Sequence, residues 1–431
     1  QKNRCRRQRP YSQRWRMYFY IILEKRQVTI MLNFEIKKIF SKARNKVAMT
    51  ALLAILLVVS LLSINKVEYM DENGNHTTGI TAAQNLRREK NKWAGDLTED
   101  VFREVYQKNH QINSEQLNDS IEEEDKAFQK KQGISSIIDI INDANSPWRD
   151  YDYYAIDRIT EDEAANVYEE RIANLKDYIN GGEESFSDHE KDYLLTKYQN
   201  LRTPFHYEYY DGWVALIDNI PTFIMILALF IGFFVSGIFS DEFQTKADSV
   251  LFSTKLGRNK AVRSKIGAGF VISTVLYAAF IGIHTAIVLL ILGAGGADCP
   301  IQMIFWRSCY NITILQGYLF IVLGGYIGTL FASTVAMLVS VLTRSTVIAI
   351  IVPFIILCFF PFLSRIIPLP EICSFFPDRL LDIYNELRDF ELLEVCGNIT
   401  TVSKVIIPAY AVISLLLLPV IYQFYKKAEI K

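Results

Sequence analysis

Residues 220–239 read IPTFIMILALFIGFFVSGIF, twenty consecutive positions without a charged side chain. An α-helix rises about 1.5 Å per residue, so roughly 20 apolar residues cross the hydrocarbon core of a bilayer. Outward from this segment lie five more such runs, at 47–64, 266–292, 313–342, 347–362 and 405–424. The fold class that follows is an all-α polytopic membrane protein with six transmembrane helices. Runs 266–292 and 313–342 exceed the core thickness and are expected to tilt or project beyond it. Run 347–362 is short and holds Pro353 and Pro361, which suits a kinked or re-entrant helix.

The 431 residues are 50% hydrophobic and 13% aromatic, with a net charge of −1 and a mean hydropathy of +0.14. That apolar excess is too large for one ordinary soluble core. The near-neutral total hides a segregation. Between Lys66 and Asp218 there are 17 Lys and Arg against 33 Asp and Glu, a balance of −16, which leaves 29 basic and 14 acidic residues elsewhere. The basic residues collect beside the apolar runs and form no separate basic domain, which argues against nucleic-acid binding.

Those basic residues set the expected orientation, because Lys and Arg in short loops resist translocation. Lys37, Lys38, Lys42, Arg44 and Lys46 precede the first run. Lys246, Lys255, Arg258, Lys260, Arg263 and Lys265 separate the second from the third, and Lys426, Lys427 and Lys431 follow the last. If all six runs cross, both termini, the 240–265 loop, Arg344 and the 425–431 tail lie in the cytoplasm of a bacterium, beneath its plasma membrane. The 65–219 insert and the 293–312 and 363–404 loops lie outside. Segment 1–46 is then a basic cytoplasmic arm. Its first 30 residues carry nine Lys and Arg without helical periodicity, and translation is expected to begin at Met31. Run 47–64 lacks a small-residue cleavage pattern and reads as an uncleaved anchor.

The insert reads as helical and polar. Thr160-x-x-Glu163 and Ser187-x-x-Glu190 are capping-box patterns, so helices are expected to start there. The first should run through 161–179 and stop at Asn180-Gly181-Gly182; the second should end before Pro204. Helices are also expected around 100–108, 114–131 and 135–142. The acidic run Glu122–Asp125 lacks the glycine turn of a calcium loop and reads as a solvated helix face. The aromatic cluster from His206 to Trp213 precedes the second span and is expected to anchor at the headgroups, with Trp213 as its end.

Cys299, Cys309, Cys373 and Cys396 fall outside by this topology, where four thiols allow three pairings. Cys299 with Cys309 and Cys373 with Cys396 each close one loop; four unpaired thiols is the alternative. Cys358 falls within the fifth run. The five histidines show no metal-ligand spacing, and His284 alone lies inside a span. Phosphate-loop, nucleophile-elbow and dinucleotide patterns are absent, so the chain is expected to have no catalytic residues, metal or cofactor of its own. Gly324-Gly325 and Gly328 read as positions of close helix packing.

The loop after the second run, FSDEFQTKADSVLFSTKLGRNKAVRSK from Phe239 to Lys265, carries the most information. Residues 241–252 suit a short amphipathic helix on the membrane surface, with Phe243, Val250 and Leu251 apolar and Glu242, Lys246 and Asp248 charged. A positive-inside stop with an interfacial helix is the plainer reading. In its Glu soon after the second span (Glu242), its Leu-x-Ser step (Leu251 to Ser253), its Arg258-Asn259 step and the Lys that opens the third span (Lys265), the chain resembles the permease subunits of type-2 ATP-binding cassette exporters. Six spans, a large outer insert and internal termini extend the resemblance over 31–431. Lys246-Ala247-Asp248 departs from the small residues that often follow the Glu.

The resemblance implies a coupling helix that seats on a separate ATPase subunit, which would use the ATP and Mg, and a second permease chain, identical or related. It implies docking through Glu242 and Phe243, with Lys246, Leu251, Ser253 and Arg258 as further coupling candidates. Arg263 and Lys265 would join Trp213 in holding the chain at membrane lipid. Two other classes stay open: a sensor acting through a partner kinase, and an ATP-independent channel or secondary transporter. The cargo, a peptide, lipid-like molecule, drug or ion, is open as well.

Overall fold

The computed structural model describes residues 29–428 except 72, 117–119, 183, 254–258, 364–365, 367–372 and 396. Helices make up most of it. Helix α1 (29–41) leads through a one-residue break into α2 (Ala43–Asn65). The insert follows: the hairpin β1 (Glu68–Met70) and β2 (His76–Thr78), α3 (Ile80–Lys90), β3 (Gly95–Asp96), α4 (Glu99–Ser114), α5 (Ile121–Lys131), α6 (Ser135–Asn145), α7 (Glu161–Ala165), α8 (Val167–Asn180), α9 (Asp188–Gln199) and β4 (His206–Tyr207). Then come α10 (Asp211–Gln244), α11 (Asp248–Ser253), α12 (Lys260–Leu292), α13 (Ile314–Thr343) and α14 (Thr346–Leu363). A short α15 (Ile383–Arg388), the hairpin β5 (Leu392–Val395) and β6 (Asn398–Thr401), and α16 (Val402–Lys426) complete the chain.

Among the described residues five helices, α2, α10, α12, α13 and α16, are long and apolar enough to cross a membrane. The run expected as a fifth span is the shorter of the apolar helices, its apolar stretch covering Thr346–Phe360. α10 is the most buried of the long helices and packs against α2, α12, α13 and α14. α2, α10 and α16 extend past their apolar runs at both ends, and α12 at its start, because polar residues that flank the runs find partners. Asp211 at the start of α10 accepts from Lys90 at 2.7 Å, and Thr313 caps α13 in a capping box with Gln316.

Both expected capping boxes of the insert are formed, at Thr160/Glu163 and Ser187/Glu190. The helix expected over 161–179 is instead two, α7 and α8, interrupted at Asn166. It stops where expected, with Gly182 at φ +80°. Among the described residues three short antiparallel strand pairs, absent from the sequence reading, close the insert and the last loop: β1 with β2, β3 with β4, and β5 with β6. Pairing of β3 with β4 brings Asp96 beside His206 and so returns the chain to the start of α10.

The insert packs on one end of the helices through a shared core. Phe102, Leu97 and Ile137 belong to the same buried cluster as Ile217, Phe223 and Ile314. A second cluster joins Trp148, Leu175 and Tyr198 of the insert to Cys309 between α12 and α13. Arg171, buried on α8, fastens that junction. Its Nη2 donates to the carbonyls of Trp306 (2.6 Å) and Ser308 (3.1 Å), and its guanidinium lies 4.7 Å from the ring centres of both Tyr198 and Trp306.

Candidate functional site

At the end of the helices opposite the insert, four elements converge on buried charge. α10 continues past the apolar run, so Glu242 sits on its last turns and faces inward. Lys265, fully buried on the first turns of α12, donates to Glu242 Oε1 at 2.6 Å, to the carbonyl of Ile238 at 3.1 Å and to the Glu35 carboxylate at 3.1 Å. Lys38 on α1 donates to Glu242 at 3.0 Å, and Tyr425 Oη near the end of α16 donates to Glu242 Oε2 at 2.6 Å. Two carboxylates and two ammonium groups balance, and each is hydrogen-bonded, which is the condition under which burying charge is tolerated.

Next to this cluster, Asp241 accepts from Lys42 and Arg44, which holds the break between α1 and α2 against α10. Burial among Arg44, Lys38 and Lys265 lowers the Lys42 pKa to about 8. Ser240 Oγ lies 2.7 Å from Thr346 Oγ1, and the Ser240 N–H donates to Ser340 at 2.9 Å. The start of α14 and the end of α13 are thereby tied to the same turn of α10.

Beyond Gln244 the chain turns at Lys246, whose φ of 57° is in the left-handed region. The single surface helix expected over 241–252 is therefore two segments, the end of α10 and the six-residue α11. α11 is pinned by aromatic contacts: Phe252 lies 5.2 Å from the Tyr425 ring and 6.2 Å from Phe243, and Phe243 lies 5.7 Å from Tyr425. Arg344, at the left-handed cap of α13, stacks 4.6 Å from the Phe243 ring. The opposite face of α11 is open, with Val250 70% exposed.

This geometry corrects several expectations. Glu242 is buried among the chain's own cations, so its carboxylate is not on a docking surface; Phe243 is half-buried beneath α11. Lys265 is not at the headgroups, because two carboxylates and a carbonyl draw its ammonium inward. Trp213 is buried too: its indole donates to the Ala294 carbonyl at 3.2 Å and packs edge-on against Tyr318. Arg263 remains exposed, 5.9 Å from the Tyr422 ring. Lys246 is exposed at the turn, Leu251 lies in α11, and Ser253 donates to the Val250 carbonyl at 2.7 Å. Arg258 lies outside the described residues.

Cys299 and Cys309 are free thiols, not a disulfide, because they are buried in different clusters: Cys299 among the long helices and Cys309 against Trp148 and Leu175. Burial raises the first to about 12 and the second to about 11. Cys373 is also free and buried, and Cys396 lies outside the described residues. His284 Nδ1 meets Ser60 Oγ at 2.9 Å, joining α12 to α2. Glu35, Asp241 and Tyr425 went unnoticed in the sequence. A lone Glu at 35, within a basic flank, was the available sign of an internal ion pair.

A family model described as ABC-2 family transporter protein matches residues 47–383. That span contains Glu242, α11 and Lys265, whereas Glu35, Lys38 and Tyr425 lie beyond its ends. No curated protein and no solved structure matches the chain.

Proposed function

The chain belongs to the ABC-2 transporter family, a multi-pass membrane protein, and we propose that it is the permease subunit of an ATP-driven exporter in a bacterial plasma membrane. In this reading α14 completes six crossings. The charge cluster, α11 and both termini face the cytoplasm, and the insert faces outward. The basic residues on the flanks of α2, α10 and α12 support that orientation. The chain has no hydrolytic role of its own; a separate ATPase subunit uses the ATP and Mg, and a second permease chain completes the transport path.

The observation that carries the reading is the seating of α11. Its outer face offers Val250 to the cytoplasm, and its inner face rests through Phe252 on Tyr425, which bonds Glu242, which bonds Lys265. A displacement of α11 by a docked ATPase is passed through packed rings and ion pairs to α10, α12 and α16 together. The residues that receive an ATPase are then those exposed on α11, and Glu242 and Phe243 transmit the movement.

The test is affinity purification of the tagged chain from its native membrane, with mass spectrometry of what accompanies it. An ATPase is expected with the parent chain and with Glu242→Gln, and is expected to be lost with Val250→Asp. Reproducible recovery of the parent chain without an ATPase, or with a kinase in its place, overturns the proposal.

A further inference from the structure

A groove of about 890 Å³ runs between α12 and α13 on the half nearer the insert. Leu289, Leu290, Leu319 and Leu323 form its apolar walls, and Leu290 is 85% exposed. Three tyrosines line it, yet each turns its hydroxyl to the helices. Tyr277 donates to the Val322 carbonyl at 2.8 Å, Tyr326 meets Thr274 at 2.8 Å, and Tyr318 meets Thr285. The tyrosines thus leave rings, with no hydroxyl lacking a partner, along the groove. An occupant must accordingly be apolar along its length.

The end of the groove differs. Ala294 closes it, and beside Ala294 the Arg87 Nη1 of α3 lies 3.7 Å from where a β-carbon on Gly293 would stand. Arg87 is exposed and, among the described residues, has no carboxylate partner. The nearby Glu208 instead accepts from the Gly296 N–H at 3.2 Å. We propose that this groove binds an anionic phospholipid, with its acyl chain between α12 and α13 and its phosphate at Arg87.

Two arguments favour a lipid over a second copy of this chain. The groove is concave, whereas the neighbouring exposed face of α12 carries single side chains such as Val275 and Ile283. A second copy would also cover an unpaired guanidinium with apolar helix, which is costly, while a phosphate satisfies its fork-shaped donors. The proposal rests on the membrane-spanning reading of α12 and α13 and does not depend on an ATPase. Failure of the purification test above and failure of the test below are therefore distinguishable.

The purified full chain is exchanged into mixed micelles holding equal amounts of phosphatidylglycerol and phosphatidylcholine, and retained lipid is counted by native mass spectrometry. About a tenfold preference for phosphatidylglycerol is expected, the effect of one charge-assisted contact. Arg87→Gln is expected to abolish the preference while keeping a bound lipid. Gly282→Phe is expected to lose the lipid altogether, because a β-carbon at Gly282 meets nothing within 4 Å and the ring enters the groove. Equal retention of both lipids by the parent chain, or a preference that survives Arg87→Gln, overturns the proposal. So does a dimer that Gly282→Phe dissociates while lipid retention stays unchanged.

Discussion

Lys265 and Glu242, 23 residues apart, meet at 2.6 Å across the mouth of a helix pair, and the lysine is fully enclosed. The pair closes the loop that contains α11, so its geometry sets the path of that loop. Replacing Lys265 with Met leaves Glu35 a buried carboxylate without its partner and Glu242 with only Lys38 and Tyr425, and the expected loss is about 3–5 kcal/mol. Glu242→Gln is expected to be milder, because Lys265 keeps Glu35 at 3.1 Å. Thermal melting of the purified chain in detergent ranks the two variants; equal melting of Lys265→Met and the parent refutes the role given to this cluster.

Phe252 joins α11 to the aromatic rings of α10 and α16. Its removal by Phe252→Ala leaves Val250 in place but detaches the helix from Tyr425 and Phe243. Hydrogen exchange across 248–253 is expected to quicken roughly tenfold, about 1.4 kcal/mol of lost local stability. Exchange in α8, at the insert end of the molecule, is expected to be unchanged. Protection in α11 that survives the substitution shows that another contact seats it.

The long helices were legible because a bilayer imposes a length and a composition that few other structures share. Residues 220–239 announce α10 with no reference to the rest of the chain. The capping boxes at Thr160 and Ser187 were legible for the same reason: they are closed within four residues. What escaped was settled by distant partners. Glu242 reads as a surface carboxylate until Lys38, Lys265 and Tyr425 are placed around it, and those lie 204, 23 and 183 residues away. Trp213 reads as an interfacial anchor until Ala294, 81 residues on, accepts its indole. The pairing of Cys299 with Cys309 rested on both lying in one loop, which does not tell which hydrophobic cluster each thiol enters.

Arg171 holds the loop between α12 and α13 to the insert, and Cys309 is packed behind it in a cluster with Trp148 and Tyr198. Arg171→Met leaves the Trp306 carbonyl without its donor, leaves Ser308 with Gln302 alone and removes the ring stacking, an expected cost of about 2–4 kcal/mol. The loop should then open locally. In the parent chain Cys309 is expected to resist alkylation, since burial raises its thiol to about 11 and denies access. In Arg171→Met a maleimide is expected to label Cys309 at least about tenfold faster. Rapid labelling in the parent chain removes the basis for this lock.

Gly324 lies where α13 approaches the segment before α15. A β-carbon there would stand 2.5 Å from Ile383 Cγ1 and 2.9 Å from the Leu380 carbonyl oxygen, and a backbone atom cannot step aside as a side chain does. Gly324→Ala is expected to lower stability by about 1–3 kcal/mol. Gly282→Ala on α12, with open space around it, is expected to be neutral or to raise stability by a few tenths of a kcal/mol to about 1 kcal/mol through helix propensity. Melting temperatures of the two alanine variants make the comparison, and a reversal of their order contradicts the close packing of α13.

Asp139 and Asp143 lie one turn apart on α6, the first exposed and the second half-buried. Burial, with Asp139 as the second cause, raises the Asp143 pKa from 3.8 to about 7; Tyr151 donates to Asp139 at 3.0 Å. A carboxyl raised on folding holds its proton more tightly in the folded than in the unfolded chain. Its contribution is therefore complete below about pH 4 and is lost as pH rises through about 7. The insert is thus expected to be more stable at pH 5 than at pH 8, as far as this residue is concerned, which is opposite to a salt-bridged surface carboxylate. Melting of the full chain, followed by circular dichroism, is the measurement. Asp143→Asn is expected to remove the decline between the two pH values; a decline of equal size in that variant assigns the effect to another group.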